Sequence, residues 1–532
     1  MKLSSKDFEV KSLPLLPKDD FDRLVMHAGH IPLSIGEATS TRKLFFWLVK
    51  QKNPDVTGKP LLVWLNGGPG CSSMDGMFLE NGPFRVNPDS GIHFNKNSWT
   101  ESADILFLDQ PVGTGFSYGS PLSKNIPDIS KEFVEFIKAF FEIFPDFKDK
   151  NLMIGGESFA GTYIPYFADA MLSEKIPLAG IVIGNGWMDP IRQYGTYTEF
   201  AKARNLVDET YYNKLKEQTN SCLKMLEEKE YIKVSRCENL MGIIIEYQQK
   251  AYEGLCINIY DIRLRDENVH DGCGMHAWPF GLDKLKEYLG RPDVVSAINA
   301  EEKPVSWIEC DMSVNRALET ENQAPSYTLF PKLLESIPVH LFTGDQDLIC
   351  NVFGVNAMID ALTWNGTKGF SSLAVKKDWY LNGTLAGTFS ADRKLSHYIL
   401  HNASHMAPYE SGEAALDMFN HILASPKFAG RMVAPGTTHA KTLTPDTTTP
   451  KTHENKTKIV SSPHSLSIAL VLLISLALVI GVVYYYRRKR RNESLFPNRI
   501  NAGGDSEWHE LTDIEDEESL GLVFRGGAAH SP

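Results

Sequence analysis

Residues 152–161 read LMIGGESFAG, an apolar run that ends in glycines and a serine. The run has the length and composition of a buried β-strand, and an amphipathic helix pattern follows from Phe159. A sharp strand-to-helix turn exposes its serine at the carboxyl edge of a sheet, and bulky neighbours would clash in that turn. The pattern is G-x-S-x-A-G instead of G-x-S-x-G, but Ala160 is still small. We therefore predict a nucleophile elbow at Ser158.

Apolar runs on both sides of this turn alternate between strands and helices. Strands are predicted at 61–65, 105–108, 181–184, 339–343 and 398–400, and a helix at 129–144. Such alternation indicates a mainly parallel sheet with helices on both faces. Residues 189–334 interrupt it, and we predict a helical cap insertion there, pinned by disulfides.

A serine nucleophile needs a base and an orienting acid, and these follow it in chain order in one α/β class. Residues 342–347 read FTGDQD just past a predicted strand, so Asp345 and Asp347 are both candidates for the acid. His405 follows the last predicted strand and is the expected base. Three such residues at strand ends predict an α/β-hydrolase fold.

A glycine-rich loop, NGGPG at residues 66–70, ends the predicted strand 61–65. Glycines let backbone N–H groups approach a ligand closely. An oxyanion hole built from the N–H groups of Gly68 and Phe159 is predicted. A phosphate loop is the alternative, but the Gly-Lys-Ser/Thr that it requires is missing.

Composition restricts the class of partner and cofactor. The net charge of −12 argues against a nucleic-acid-binding surface, which would need a basic face. None of the seven cysteines forms a C-x-x-C pair, so we predict no metal and no cofactor. An odd number of cysteines in a secreted protein predicts three disulfides and one free thiol.

The C-terminal region predicts a membrane anchor. Residues 466–486 are uncharged and long enough to span a bilayer, and the basic cluster 487–491 places the following tail in the cytosol. We predict a lumenal catalytic domain at 1–432, a Thr/Pro-rich stalk at 433–465, one transmembrane helix at 466–486 and an acidic cytosolic tail at 487–532.

Two features concern passage through the secretory pathway. Glycosylation sequons stand at Asn365, Asn382, Asn402 and Asn455. The first 20 residues contain no apolar segment of a signal peptide. We therefore expect that the sequence is truncated at its N-terminus or that its start is assigned too late.

Four segments together resemble the signature segments of the serine carboxypeptidase family: LLVWLNGGPGCSS at 61–73, GGESFAG at 155–161, GDQDLICN at 344–351 and NASHMAP at 402–408. The resemblance covers about residues 20–425. It implies hydrolysis of peptide C-termini through an acyl-Ser158 intermediate, favoured at acidic pH. It also implies Asp347 as the acid of the triad and Cys350 as a free thiol near the pocket.

The same resemblance implies the remaining site residues. The substrate carboxylate would be held by Trp64, Asn66, Glu80 and Glu157. Two glutamic acids that share a proton can donate a hydrogen bond to a carboxylate, whereas two ionised ones would repel it. The disulfides would join Cys71 to Cys310, Cys222 to Cys237 and Cys256 to Cys273.

The anchor, stalk and tail resemble one branch of the family, the pheromone-processing enzymes of the fungal late Golgi. That branch implies removal of C-terminal Lys and Arg after dibasic endoproteolysis, a trans-Golgi network location and a link to programmed cell death. Two alternatives remain, an acyltransferase with the same triad and a catalytically idle membrane receptor. The Glu80–Glu157 pair favours the peptidase, and the complete triad argues against the receptor.

Overall fold

A ten-stranded sheet lies at the centre of the computed structural model, which describes residues 3–33, 41–51, 60–87, 91–229, 231–266 and 278–424. The strands of the described residues are β1 Leu24–Pro32, β2 Lys43–Gln51, β3 Leu61–Leu65, β4 Phe84–Asn87, β5 Gly91–Phe94, β6 Asp104–Leu108, β7 Leu152–Glu157, β8 Gly180–Gly184, β9 Cys256–Ile257, β10 Arg265–Asp266, β11 Val339–Gly344, β12 Thr363–Trp364, β13 Thr367–Lys368, β14 Val375–Leu381, β15 Thr384–Asp392 and β16 Leu395–Leu400.

The helices are α1 Lys18–Phe21, α2 Met74–Leu79, α3 Ile126–Ile143, α4 Ala160–Ser173, α5 Pro190–Ala203, α6 Glu209–Glu228, α7 Ser235–Ala251, α8 Leu282–Leu289, α9 Pro292–Ala297, α10 Met312–Ala317, α11 Phe330–Ser336, α12 Val352–Ala361, α13 Ala407–Glu410 and α14 Gly412–Leu423. Short 3₁₀ turns lie at Ser5–Phe8, Trp99–Glu101, Pro145–Phe147 and Ser326–Leu329.

The order of the strands confirms a mostly parallel sheet. It runs β1-β2-β6-β3-β7-β8-β11-β16-β15-β14, and the six strands from β6 to β16 are parallel to one another. The hairpins β1–β2 and β14–β15 add antiparallel strands at the two edges. The carboxyl ends of all the parallel strands therefore meet at one edge of the sheet, where the site is built.

Both faces of the central part of the sheet are buried, as the strand–helix alternation predicts. Leu61, Val63 and Leu65 belong to one apolar cluster, which also contains residues of α3 and α4. Leu62 and Trp64 belong to the opposite cluster, together with residues of α2, α8 and α14. This alternation with a period of two explains why β3 is apolar at every position.

Disulfides tie the region between β8 and β11 together. Cys222 in α6 is bonded to Cys237 in α7, and Cys71 in the loop after β3 is bonded to Cys310. Both pairings match the prediction. Cys256 also takes part in a disulfide, but Cys273, its predicted partner, lies outside the described residues.

Several predictions fall beyond residue 424, where the description ends. The stalk, the predicted span at 466–486, the tail and Asn455 all lie outside the described residues. Within the described ranges, no helix combines the length and the apolar character needed to cross a bilayer. Asn365, Asn382 and Asn402 are exposed and therefore accessible to glycosylation.

Two buried histidines join β11 to β16 and make stability depend on pH. His340 Nδ1 lies 2.7 Å from Ser396 Oγ, and His397 Nε2 lies 2.9 Å from Thr343 Oγ1. Burial lowers the pKa of each histidine to about 4. Each stays neutral in the folded chain while its unfolded counterpart gains a proton below about pH 6.5. Acidification through this window should therefore remove stability.

We expect each histidine to lower the free energy of unfolding by up to about 3 kcal/mol between pH 6.5 and pH 4. Denaturant titrations across this range measure the slope. His340→Gln should flatten it, because glutamine does not titrate. An unchanged slope in that variant would contradict this account.

Candidate active site

Ser158 occupies a strained turn between β7 and α4. Its φ of 60° is positive, which costs a non-glycine residue about 1–3 kcal/mol. Hydrogen bonds hold this conformation: Ser158 N–H donates to the Gly184 carbonyl at 3.1 Å, and the Ser158 carbonyl accepts from Gly161 and Trp187, each at 2.9 Å. The elbow geometry predicted from the sequence is therefore present.

Asp347, and not Asp345, contacts His405. The distance from His405 Nδ1 to Asp347 Oδ2 is 2.7 Å, and both side chains are buried. Asp345 instead accepts a hydrogen bond from the backbone N–H of Asn402 at 2.9 Å. The choice that the strand-end pattern left open is settled in favour of the Asp347 contact. An Nδ1–H that donates to Asp347 leaves Nε2 of His405 as the free base.

Asn185 is a partner of Asp347 that the sequence analysis missed. Its Nδ2 donates to Asp347 Oδ2 at 2.7 Å, and its Oδ1 accepts from Gly344 N–H at 3.2 Å. The N–H of Cys350 donates to the other carboxylate oxygen at 3.2 Å. Asn185 follows directly after β8, so the strand-end rule that found Asp347 could have found it.

A pocket brings Ser158 together with both predicted oxyanion donors. Gly68, Ser158, Phe159 and Cys350 line it. The N–H groups of Gly68 and Phe159 donate to no acceptor among the described residues. The carboxylate of Asp347, the thiol of Cys350 and the ring of His405 lie within 4.8 Å of one another. Cys350 lines the pocket and also lies close to Asp347 and His405. The pocket therefore borders both Ser158 and the acid–base pair.

The fit of the glycine loop against the elbow leads to a prediction at Gly67. A Cβ on Gly67 would lie 2.5 Å from the Phe159 nitrogen and 2.8 Å from Ser158 Cβ. Gly67→Ala must therefore displace the neighbouring oxyanion donors. We expect the rate at which Ser158 is acylated to fall by about a hundredfold, the cost of losing one such donor.

Gly195→Ala is the control for this substitution, because a Cβ there meets only Leu223 at an ordinary distance of 3.6 Å. Equal acylation rates for the two variants would show that the loop tolerates displacement.

Asn66 forms the centre of a buried polar network beside the elbow. Its Oδ1 accepts from the indole N–H of Trp64 at 3.0 Å and from Gly76 N–H at 3.1 Å. Its Nδ2 donates to Glu80 Oε1 at 2.9 Å and to Glu157 Oε1 at 3.1 Å. The four residues predicted from the resemblance are thus together. Trp64 is fully buried, and its indole N–H is already bonded to Asn66. Its role is therefore to orient the Asn66 amide.

Glu80 and Glu157 form a buried pair of carboxyl groups, and burial favours the protonated form of each. Burial raises the pKa of both carboxyl groups, and the negative charge of Glu80 raises that of Glu157 further. The Oε2 atom of each is buried without any hydrogen-bond partner among the described residues. A proton held between the two carboxyls removes the repulsion between their charges.

Comparison with known proteins identifies the family to which the chain belongs. Residues 17–425 match the protein family described as serine carboxypeptidase. The chain belongs to the serine carboxypeptidase family. Its enzyme class is therefore that of a serine-type peptide hydrolase.

The serine carboxypeptidases most similar to this chain include two fungal proteins named pheromone-processing carboxypeptidase KEX1. That of Puccinia graminis f. sp. tritici is 37% identical over 526 residues, which cover 92% of this chain and 79% of that protein. That of Coprinopsis cinerea is 35% identical and covers 99% of this chain and 90% of that protein. The crystal structure of KEX1(delta)p, a prohormone-processing carboxypeptidase from Saccharomyces cerevisiae, superposes with a TM-score of 0.72 at 33% identity, covering 79% of this chain and 96% of that one.

Cys350 is the free, buried cysteine of the described part of this serine carboxypeptidase. Burial raises the pKa of its thiol well above the usual range, and the charge of Asp347 acts in the same direction. Asp347, Cys350 and His405 are close enough to hold a metal ion. A metal would need the thiolate, which the raised pKa of Cys350 disfavours.

Proposed function

We propose that this serine carboxypeptidase releases C-terminal Lys and Arg from peptides through an acyl-Ser158 intermediate. Ser158 Oγ attacks the scissile carbonyl while His405 Nε2 takes its proton, and Asp347 orients the imidazole. The N–H groups of Gly68 and Phe159 receive the oxyanion. His405 then gives the proton to the leaving amine, and water hydrolyses the ester by the reverse sequence.

The Asn66–Glu80–Glu157 network is the observation that carries this proposal. A carboxyl pair that retains a proton can donate a hydrogen bond to an anionic group, and the Asn66 amide holds both carboxyls in place. A peptide has such a group at its C-terminus. We place the substrate carboxylate on this network, which puts the last peptide bond at Ser158.

The shared proton makes binding depend on pH. Because the pKa of Glu157 is raised, the pair keeps its proton in acid and loses it as the pH rises through that pKa. Once it is lost, the substrate carboxylate meets two negative charges. We expect KM to rise by up to about tenfold per pH unit above this pKa.

KM measured from pH 4 to pH 8 tests this expectation. Glu157→Gln should flatten the dependence, because its amide keeps a donor at every pH. A KM that rises equally in wild type and variant would assign the pH dependence to another group.

Two further acids support a basic C-terminal residue. Asp75 lies in α2 beside Gly76, which donates to Asn66, and its Oδ1 is buried without a hydrogen-bond partner among the described residues. The carboxylate of Glu309 lies 3.7 Å from Lys286 Nζ, and the charges of both residues act on Asp75. Burial raises the pKa of Asp75 well above its usual range, and the charge of Glu309 raises it further. A Lys or Arg side chain of the substrate would add a second cation beside Lys286 and favour the ionised form of these acids.

The test compares peptides that end in Lys, Arg, Leu or Phe, each with a free or an amidated C-terminus, using the purified full chain. Release of the last residue from free but not from amidated peptides supports a carboxypeptidase that binds the substrate's C-terminal carboxylate. Equal kcat/KM for basic and apolar ends would contradict the Lys/Arg preference alone. Asp75→Asn should lower the ratio of Lys to Leu, whereas Asp293→Asn, an exposed acid on α9 paired with Arg291, should not.

The cellular setting is part of the same proposal. We place the catalytic domain in the lumen of the trans-Golgi network, acting after a dibasic endoprotease, with one membrane helix and a cytosolic tail. Two disulfides and three exposed sequons support a lumenal environment. Two measurements test this location: co-localisation of the tagged full chain with Golgi markers, and the shift in its size on deglycosylation. The link to programmed cell death stays a prediction.

A further inference from the structure

The pocket at Ser158 contains an ion pair that the triad does not use. Lys233 and Glu238 line it together with Trp187, Tyr197 and Ile349. The pocket is a cleft of about 50 Å³ that opens to solvent. Both charged residues come from the region around the start of α7, more than 70 residues after the elbow in the chain.

The position of the pocket relative to Ser158 identifies which substrate residue enters it. Gly68, Ser158 and Phe159 line the pocket, but Asn66, Glu80 and Glu157 do not. Under the proposed function, the C-terminal residue lies toward that second group. The pocket therefore receives the side chain of the penultimate residue, whose carbonyl carbon Ser158 attacks.

Glu238 is firmly held, while its partner Lys233 is loosely held. Tyr194, which is fully buried, donates its hydroxyl hydrogen to Glu238 Oε1. The residue before Glu238, Cys237, is fixed by the disulfide to Cys222. Lys233 Nζ lies 3.6 Å from Glu238 Oε2, and its side chain is 42% exposed against 19% for Glu238. An exposed lysine at this distance contributes little to stability and can move away.

The walls suit the stem and the charge of a basic side chain. Trp187 and Tyr197 present aromatic surface, on which a Lys or Arg stem packs and a cation is attracted. Tyr197 is itself fixed, since its hydroxyl donates to the Ile349 carbonyl at 2.8 Å. A neutral apolar residue would fill the same walls but could not replace Lys233 as the cation beside Glu238.

We infer that Glu238 recognises a basic penultimate residue of the substrate, and that Lys233 occupies this carboxylate until the substrate displaces it. This inference rests on the proposed function and extends it from the last residue to the last two. A peptide that ends in two basic residues then meets an acidic group on each side of Ser158: Asp75 and Glu309 for the last residue, and Glu238 for the one before it.

The experiment uses the full chain and two peptides that share a C-terminal Leu and differ only in the penultimate residue, lysine or norleucine. Norleucine keeps the lysine stem without its charge. We expect wild type to prefer lysine in kcat/KM, and Glu238→Gln to lower that preference roughly tenfold or more, the effect of losing one charged hydrogen bond. Lys233→Met should raise the preference, because it removes the competing cation.

Glu246→Gln is the matched control, since Glu246 lies on the same helix in contact with Lys214 and Lys250 and outside the pocket. It should leave the preference unchanged. Equal use of both peptides by wild type would overturn the inference, as would a Glu238→Gln variant that slows both peptides equally. Lys233→Met tests the recognition of a penultimate lysine by Glu238 without altering the Glu238 carboxylate. A wild-type chain that releases no C-terminal residue from any peptide would contradict the proposed function, and this inference with it.

Discussion

Alanine at Ser158 is expected to lower kcat for C-terminal release by about a million-fold, the loss seen when an acyl-forming serine is removed. The substitution deletes only the hydroxyl, and the backbone hydrogen bonds of the elbow remain. The fold and the carboxylate network should therefore persist. Mass spectrometry of peptide products, with the purified full chain, measures the rate over hours.

A second measurement separates chemistry from binding in this variant. Because Asn66, Glu80 and Glu157 are unchanged, the variant should bind a peptide with a free C-terminus and bind its amidated form weakly. Substantial release by Ser158→Ala would exclude the acyl-serine route. Loss of peptide binding together with activity would indicate that the substitution disturbed the pocket.

The second large effect is expected at Asp347, with Asp345 as its neighbour for comparison. Asp347→Asn presents an amide where His405 needs an acceptor, which favours the wrong imidazole tautomer, and kcat should fall by about ten-thousand-fold. Asp345→Asn retains an oxygen that can accept from Asn402 N–H. It should stay within a fewfold of wild type. The two residues stand two positions apart, so the comparison isolates the contact to His405.

The pH profile supplies a further check on this pair. Asp347→Asn should change the pH dependence of kcat, which reports the base, more than that of KM. A large loss in Asp345→Asn with an active Asp347→Asn would reverse the assignment. Circular dichroism and denaturant midpoints show whether either variant has lost its fold.

The central strands could be predicted from the sequence because burial on both faces makes them mostly apolar. The predicted strand 61–65 coincides with β3, and the strand 105–108 lies within β6. The edge hairpin β14–β15 was not predicted. Its first strand, VKKDWYL, is mostly exposed and carries lysines that give no clear alternation.

The catalytic residues could be predicted because each follows a strand that ends at the same edge of the sheet. Ser158, Asp347 and His405 obey this rule, and Asn185 obeys it too but was overlooked. Glu238 obeys no such rule. It reaches the pocket from a helix of the insertion, and sequence spacing does not report how that helix packs over the sheet. Only the folded arrangement shows it beside Ser158.

The bond between Cys71 and Cys310 also has a consequence for where the enzyme can work. It closes a sequence separation of 239 residues and fastens the strand-end glycine loop to the insertion, where Asp311 N–H donates to the Gly70 carbonyl at 2.9 Å. Closing so long a loop contributes on the order of 5 kcal/mol. We expect a chain with reduced thiols to leave this loop loosely placed. We expect the peptidase to be complete only under oxidising conditions, so that a chain held in a reducing compartment would leave the C-termini of the proteins around it intact.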